Sequence, residues 1–354
     1  MASNTPSPPR VGDTTIPDAL TATTFLATTD GGIARASFED REWGVSHELV
    51  TKDVRCLAVD PTTPAILYAG TQGDGVYQSV DGGETWEFLG LDGVVVKSLA
   101  VSPHDSAVIY AGAKPAAIYV SRDGGLTWTK PPGFSKIPGR RLWFSPAEPP
   151  FVTAYVQAIA LSPTDPTLVL AGIEFGAVVR STDGGETWTG HRPGAIRDCH
   201  SLAFHATDGT RVYEGGAGLR GRAGATSTDG GETWIAPTNG LDRSYGWAVT
   251  ADPEDPTTWY LSASTGPFAA HGEENARAYI YRWQENGPWE RLAGGLPQPS
   301  FAMPYALCTL PGEPGLVVAG MSDGSVWYSA TSGDAWERLP FSLGSIHRSL
   351  VLAR

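Results

Sequence analysis

Cysteine is scarce: Cys56, Cys199 and Cys308 are the only three in 354 residues. An odd number scattered along the chain gives no disulfide framework and suits a reducing compartment, so the cytoplasm is the expected location. No apolar run approaches the length of a membrane span. Residues 1 to 21 are rich in Ser, Thr and Pro, lack the apolar stretch of a signal peptide, and read as a disordered arm. Positive charge is also in short supply, with 25 Lys and Arg against 38 Asp and Glu and a net charge of -13. Nonspecific binding to nucleic acid or an acidic membrane is therefore not expected, although a local basic site fits inside an acidic shell.

Several motifs are missing. There is no phosphate-cradling Gly-Lys-Ser/Thr loop, no Gly-x-Gly-x-x-Gly opening a helix and no Gly-x-Ser-x-Gly elbow, which leaves serine-based hydrolysis without support. Cys199, His200 and His205 have no zinc-ligand spacing, and strand alternation sends Cys199 to the side opposite His200. No cofactor and no metal are expected.

What the chain has in abundance is repetition. Ser79-Val-Asp-Gly-Gly-Glu-Thr-Trp86 recurs with small changes as Ser121–Trp128, Ser181–Trp188 and Ser227–Trp234. Ser and Asp side chains bond nearby backbone N–H groups, the glycines accept positive φ, and Thr-Trp opens a strand with a ring that needs burial. The octapeptide is thus a turn between two strands. Its row of aspartates could be catalytic or calcium-binding, but with no matching ligand cluster around it the structural reading is the expected one.

Decayed copies end in Trp43, Trp289 and Trp336, so seven tryptophans mark seven units. A period in the forties with four short strands per unit indicates an all-β fold, a seven-bladed β-propeller with four-stranded blades over residues 22–354. In unit 2 the strands fall at Val54–Val59, Ala65–Gly70, Gly75–Val80 and Thr85–Leu89. Unit 1 has no first strand of its own. Ser345–Ala353 matches Lys52–Asp60, so the C-terminal strand joins the N-terminal blade and closes the ring.

The octapeptides and the period resemble the Asp-box, or BNR-repeat, propellers, the superfamily that includes sialidases, sortilin-type (Vps10-like) receptor ectodomains, xyloglucanases and a photosystem assembly factor. The resemblance covers nearly the whole chain after residue 22. It implies the propeller fold, and it spans both enzymes and binding proteins. Sialidases have six blades and an Arg-Ile-Pro segment that this chain lacks, and no residue here matches their catalytic set.

Counting back from the tryptophans gives one residue per unit at the start of the inner strand. These are Arg348, Arg55, Lys97, Gln157, His200, Trp247 and Tyr305. All are long, polar or aromatic, and they ring the channel mouth on the face opposite the octapeptides. Arg348, Arg55 and Lys97 lie side by side, with Lys114 nearby, as anchors for a small anion or a carbohydrate, while Trp247 and Tyr305 face them and stack on a ring. Pairing of the cations with Asp53 and Asp74 is the structural alternative. The long loops fall on the same face: 29 positions separate Trp128 from Gln157, enclosing Lys136, Arg140, Arg141, Trp143 and Phe144, and further insertions occur near 216–222 and 266–276.

Acids gather there too. Glu174 ends the second strand of unit 4, Asp198 lies two residues before His200, and Glu214 occupies a small-residue position of strand two, read as facing His200. His200 and Glu174 would move protons in hydrolysis or elimination, with Glu214 orienting. The leading expectation is a glycosidase-like hydrolase or lyase acting on a small anionic, sugar-acid-like molecule. One alternative is a noncatalytic scaffold that binds a partner chain or peptide at the same rim through Trp143, Phe144 and Phe268, and another is a sugar-binding module that keeps the aromatics and needs no acid or base.

Overall fold

The octapeptide folds as a turn pinned by its own side chains. The Ser79 hydroxyl accepts the Gly83 N–H at 2.8 Å and donates to Asp81 Oδ1 at 2.7 Å, Asp81 Oδ1 accepts the Thr85 N–H at 3.0 Å, and the Trp86 indole donates to Gly83 O at 3.1 Å. Gly82 and Gly83 sit at φ 74° and 87°, in the left-handed region that excludes most side chains. Ser181–Trp188 and Ser227–Trp234 repeat the pattern. These hydrogen bonds hold Asp81 and its counterparts below the usual carboxylate range. Each box is also bonded to the turn that follows an inner strand, as from Gly82 N to Ala65 O and from Gly184 N to Thr167 O, both at 2.9 Å. The boxes therefore mark the end of the inner strand remote from its starting residue.

The computed structural model describes residues 16–146, 152–218, 221–272 and 275–354. It is nearly all-β, with antiparallel sheets whose strands succeed one another in chain order. The inner strands are Val54–Val59, Val95–Val101, Val156–Leu161, Asp198–Phe204, Tyr245–Ala251, Pro304–Thr309 and the C-terminal Leu350–Ala353. Leu350–Ala353 pairs antiparallel with Thr24–Ala27, as the match to Lys52–Asp60 predicts. Each inner strand touches the next, and Leu350–Ala353 touches both Pro304–Thr309 and Val54–Val59. No helix among the described residues is long and apolar enough to cross a membrane.

Two expectations need correction. The units beginning at Val54, Tyr245, Pro304 and Leu350 have four strands, whereas those beginning at Val95, Val156 and Asp198 have three. Their fourth strand shrinks to a bridge, Val120 with Thr129 and Thr226 with Ile235, or to a bond from Thr189 N to Arg180 O. Prolines explain this: Pro131, Pro193 and Pro237 follow Trp128, Trp188 and Trp234 closely, and proline cannot donate to a ladder. The disordered arm does not reach residue 21, because Asp18–Thr21 is a helical turn with Ala19 and Leu20 buried. The rest of that arm, residues 1–15, lies outside the described residues.

The inner strands share one irregularity that positions the site. Pairing with the second strand skips Arg55, Lys97, Gln157, His200 and Tyr305, and in the unit beginning at Tyr245 it skips Trp247 with Ala248. A β-bulge frees a residue from the ladder and re-aims its side chain. All these residues and Arg348 line one central channel of about 240 Å³. Below them Leu57, Leu99, Ile159, Leu202, Val249, Leu307 and Leu350 line the same channel as an apolar tier that packs into the cores between units.

Candidate functional site

The channel opens into a larger cavity of about 1620 Å³, and Trp247, Tyr305 and Arg348 line both. Glu174, Asp198, Tyr155, Tyr245, His271, Arg197 and Phe268 belong to the larger cavity. The bulge at His200 turns its imidazole between the two acids. Nε2 lies 3.7 Å from Glu174 Oε2 and 3.6 Å from Asp198 Oδ1, and all three side chains are buried. The other ring nitrogen, Nδ1, donates to the Gly246 carbonyl at 2.6 Å. Asp198 Oδ1 accepts the Phe175 N–H at 3.1 Å, and Phe175 adopts φ 49°, unusual for a bulky residue. Neither His200 Nε2 nor Glu174 Oε2 has a hydrogen-bond partner among the described residues.

Electrostatics follow from burial. Burial disfavours the imidazolium of His200, yet the Glu174 carboxylate and Asp198 beside it outweigh that cost and raise it to about 9. Burial lifts Glu174 to about 7 against the opposing pull of His200 and Arg348, with Asp198 adding to the rise. A proton is thus shared within the group near neutral pH.

Glu214 does not orient His200. It is fully buried and paired across the strands with Leu202, and its Oε2 accepts the Ile196 N–H at 2.9 Å. The bulge shifts the alternation so that Cys199, not His200, shares its side of the sheet, and the Cys199 thiol donates to the Ser201 carbonyl at 3.6 Å. The site that the sequence assembled from four residues thus contains Glu174, Asp198 and His200.

The cationic arc is dispersed and partly engaged. Arg55 pairs with Asp53 at 2.6 Å, and Asp74 pairs with Lys52 at 2.8 Å. Lys97 is buried, donates to Gln72 Oε1 at 3.3 Å and lies over the Tyr155 ring, as does Lys114. Arg55, Lys97 and Gln157 line the narrow channel, whereas Arg348 reaches the cavity beside the acids. Trp247 and Tyr305 meet histidines: Trp247 packs on His200 with centroids 4.7 Å apart, and Tyr305 stacks on His271 at 5.8 Å.

Sequence reasoning missed His271 and Tyr245. His271 follows the short helix Pro267–Ala270 inside the insertion near 266–276, and that position in a mouth-facing insertion was the available signal. The Tyr305 hydroxyl donates to Ala270 O at 3.0 Å, so His271 Nδ1 carries a proton and donates to Tyr305 at 2.7 Å. His271 Nε2 then accepts from the Tyr245 hydroxyl at 2.8 Å. Burial, with His200 and Arg348 nearby, lowers His271 to about 4, which keeps it neutral. Of the expected rim anchors, Phe268 and Phe144 are exposed, whereas Trp143 is half-buried and packs toward Phe134.

Comparisons with known proteins address the fold. The BNR/Asp-box repeat family model matches residues 119–130. An ancestral GH74 enzyme superposes with a TM-score of 0.62 at 19% identity, covering 81% of this chain and 38% of that one. The GH74 xyloglucanase from Xanthomonas campestris gives 0.60 at 20% identity, covering 81% and 45%. These likenesses show a β-propeller fold, in which one segment matches the BNR/Asp-box repeat. YCF48 bound to D1 peptide is similar to this propeller with a TM-score of 0.54 at 15% identity, covering 85% of this chain and 91% of that one. The propeller spans less than half the length of these GH74 chains. No curated protein matches it in sequence.

Proposed function

We propose that residues 22–354 form a single closed seven-bladed propeller, and that its mouth binds a small anionic, sugar-acid-like molecule and cleaves it as a glycosidase-like hydrolase or lyase. One observation carries the reading: Glu174, Asp198 and His200 converge, buried and incompletely hydrogen-bonded, on the wall of a large cavity that also receives Arg348 and an aromatic lining. Arg348 holds the anionic group, with Arg55, Lys97, Lys114 and Gln157 supplying the positive and polar channel beneath it. Trp247, Tyr305 and Tyr245 form the wall against which a sugar ring lies. Glu174 gives up or takes a proton near neutrality, and His200, kept charged by Glu174 and Asp198, supplies the second proton-handling group. The low-identity GH74 neighbours are in keeping with a glycosidase-like role. Incubation with a panel of uronic and other sugar acids tests the proposal, with products followed by mass spectrometry. Turnover of at least one compound, lost in His200→Ala and weakened in binding by Arg348→Ala, is expected. Wild-type turnover by both variants would overturn it.

The second reading is a peptide-binding scaffold. It draws on Phe268, 95% exposed at the cavity rim, and on the nearly full-length likeness to YCF48, which was solved with a bound peptide. Peptide-library capture that is abolished by Phe268→Ser, in a protein inert toward every sugar acid, would favour it.

A further inference from the structure

We propose that Glu174, Asp198 and His200 bind one divalent metal ion through Glu174 Oε2, Asp198 Oδ1 and His200 Nε2. The inference goes beyond the catalytic reading and stands on geometry whether or not the protein turns over a sugar acid. The three ligand atoms lie within 4.8 Å of one another, with His200 Nε2 at 3.6 and 3.7 Å from the two oxygens. An ion bonded at about 2.0–2.2 Å holds neighbouring ligand atoms about 3.0–3.5 Å apart, so the trio closes on it by small side-chain adjustments.

The atoms around the trio are arranged as a metal site requires. His200 Nδ1–H is committed to the Gly246 carbonyl at 2.6 Å, which leaves Nε2 turned toward the acids, where a bound ion would take the place of the Nε2 proton. The Phe175 N–H steers Asp198 Oδ1. Glu174 Oε2 and His200 Nε2 are buried and have no hydrogen-bond partner among the described residues, an arrangement that is costly for a protein to keep unless something else occupies the space between them. The two carboxylates match the charge of a divalent ion. Glu174 and Asp198 also line the large cavity, so the remaining coordination positions face water or ligand. One imidazole nitrogen with two carboxylate oxygens suits Zn²⁺ or Mn²⁺ better than the all-oxygen surroundings of Ca²⁺ and Mg²⁺.

Calorimetric titration of the chelator-treated full chain with ZnCl₂ and, separately, MnCl₂ tests this, with bound metal counted by atomic emission after gel filtration. The expected result is one ion per chain for at least one metal. Affinity should fall about tenfold or more in Glu174→Gln and His200→Ala, and stay unchanged in His347→Ala, which removes the exposed His347–Asp30 pair. Melting curves check that the variants fold, and if His200→Ala does not, the near-isosteric Glu174→Gln decides alone. Absence of binding, or wild-type affinity in Glu174→Gln, overturns the proposal. Sugar-acid turnover without metal binding would sink this inference alone, and metal binding without turnover would sink only the catalytic one.

Discussion

His200 and Gly246 are joined across neighbouring inner strands by a 2.6 Å hydrogen bond from the imidazole Nδ1 to the carbonyl oxygen. The bond lies in the core and sets which nitrogen faces the cavity.

Replacing His200 should therefore act on the chemical step more than on binding. His200→Gln is expected to lower kcat about 10²- to 10⁴-fold while ligand affinity stays within about threefold. Steady-state kinetics on the compound found in the sugar-acid panel measures both. An unchanged kcat removes His200 from the mechanism.

His271 bridges Tyr245 and Tyr305 through both ring nitrogens. His271→Phe keeps the ring but loses both bonds, so the aromatic wall loosens. We expect a roughly tenfold weaker ligand affinity with little change in folding. Calorimetry beside a melting curve checks this, and equal affinity for the two proteins would contradict it.

Burial pushes Glu214 up to about 8, against 4.5 for an ordinary glutamate, although the Ile196 N–H and Cys199 pull the other way. The folded state thus keeps a proton that the unfolded chain releases. Stability is fully present below the unfolded value and declines as pH rises through 8. His200, raised to about 9, and Glu174, raised to about 7, act in the same direction. The melting temperature should fall from pH 5 to pH 9. Glu214→Gln should flatten that slope, matching wild type near pH 5 and melting about 1–3 °C higher at pH 9. Parallel pH profiles for the two proteins would refute the assignment.

Ser181 Oγ, buried, accepts the Gly185 N–H at 2.9 Å and donates to Asp183. Ser181→Ala leaves that N–H unpaired and should cost about 1–2 kcal/mol, read as a lower urea midpoint. A midpoint equal to wild type would mean the box tolerates the loss.

Removing residues 345–354 strips the partner strand from Thr24–Ala27 and uncovers an inner edge. The truncated chain should aggregate or melt at least about 10 °C lower. An unchanged melting temperature would show that the C-terminal strand is dispensable.

The repeat made much of this fold readable. The inner strand Val54–Val59 and the pairing of the C-terminus with the first unit were legible because octapeptide spacing and matching sequence supply the register. The bulge was not. Alternation treats a strand as an unbroken period of two, and the extra residue at His200 moves Glu214 to the side of Cys199. Glu174 and Asp198 were found because strand ends stay at the mouth whatever the register. His271 was missed for another reason: it lies in an insertion with no counterpart in the other units, where the ruler has no mark. The shortened outer strands were in principle visible in Pro131, Pro193 and Pro237, whose local effect was masked by the strength of the repeat.

The bulges carry a wider consequence. A residue that takes no part in the ladder can be exchanged without rewriting the strand pairing around it, since the ladder bonds beside it do not run through its side chain. The mouth then works like a dial with separately replaceable settings: Arg, Lys, Gln, His, Trp or Tyr can each be installed on an otherwise constant frame. Under the proposed function, recognition would be set residue by residue, and a library varied only at these positions would sample new ligand preferences on one strand-pairing scheme.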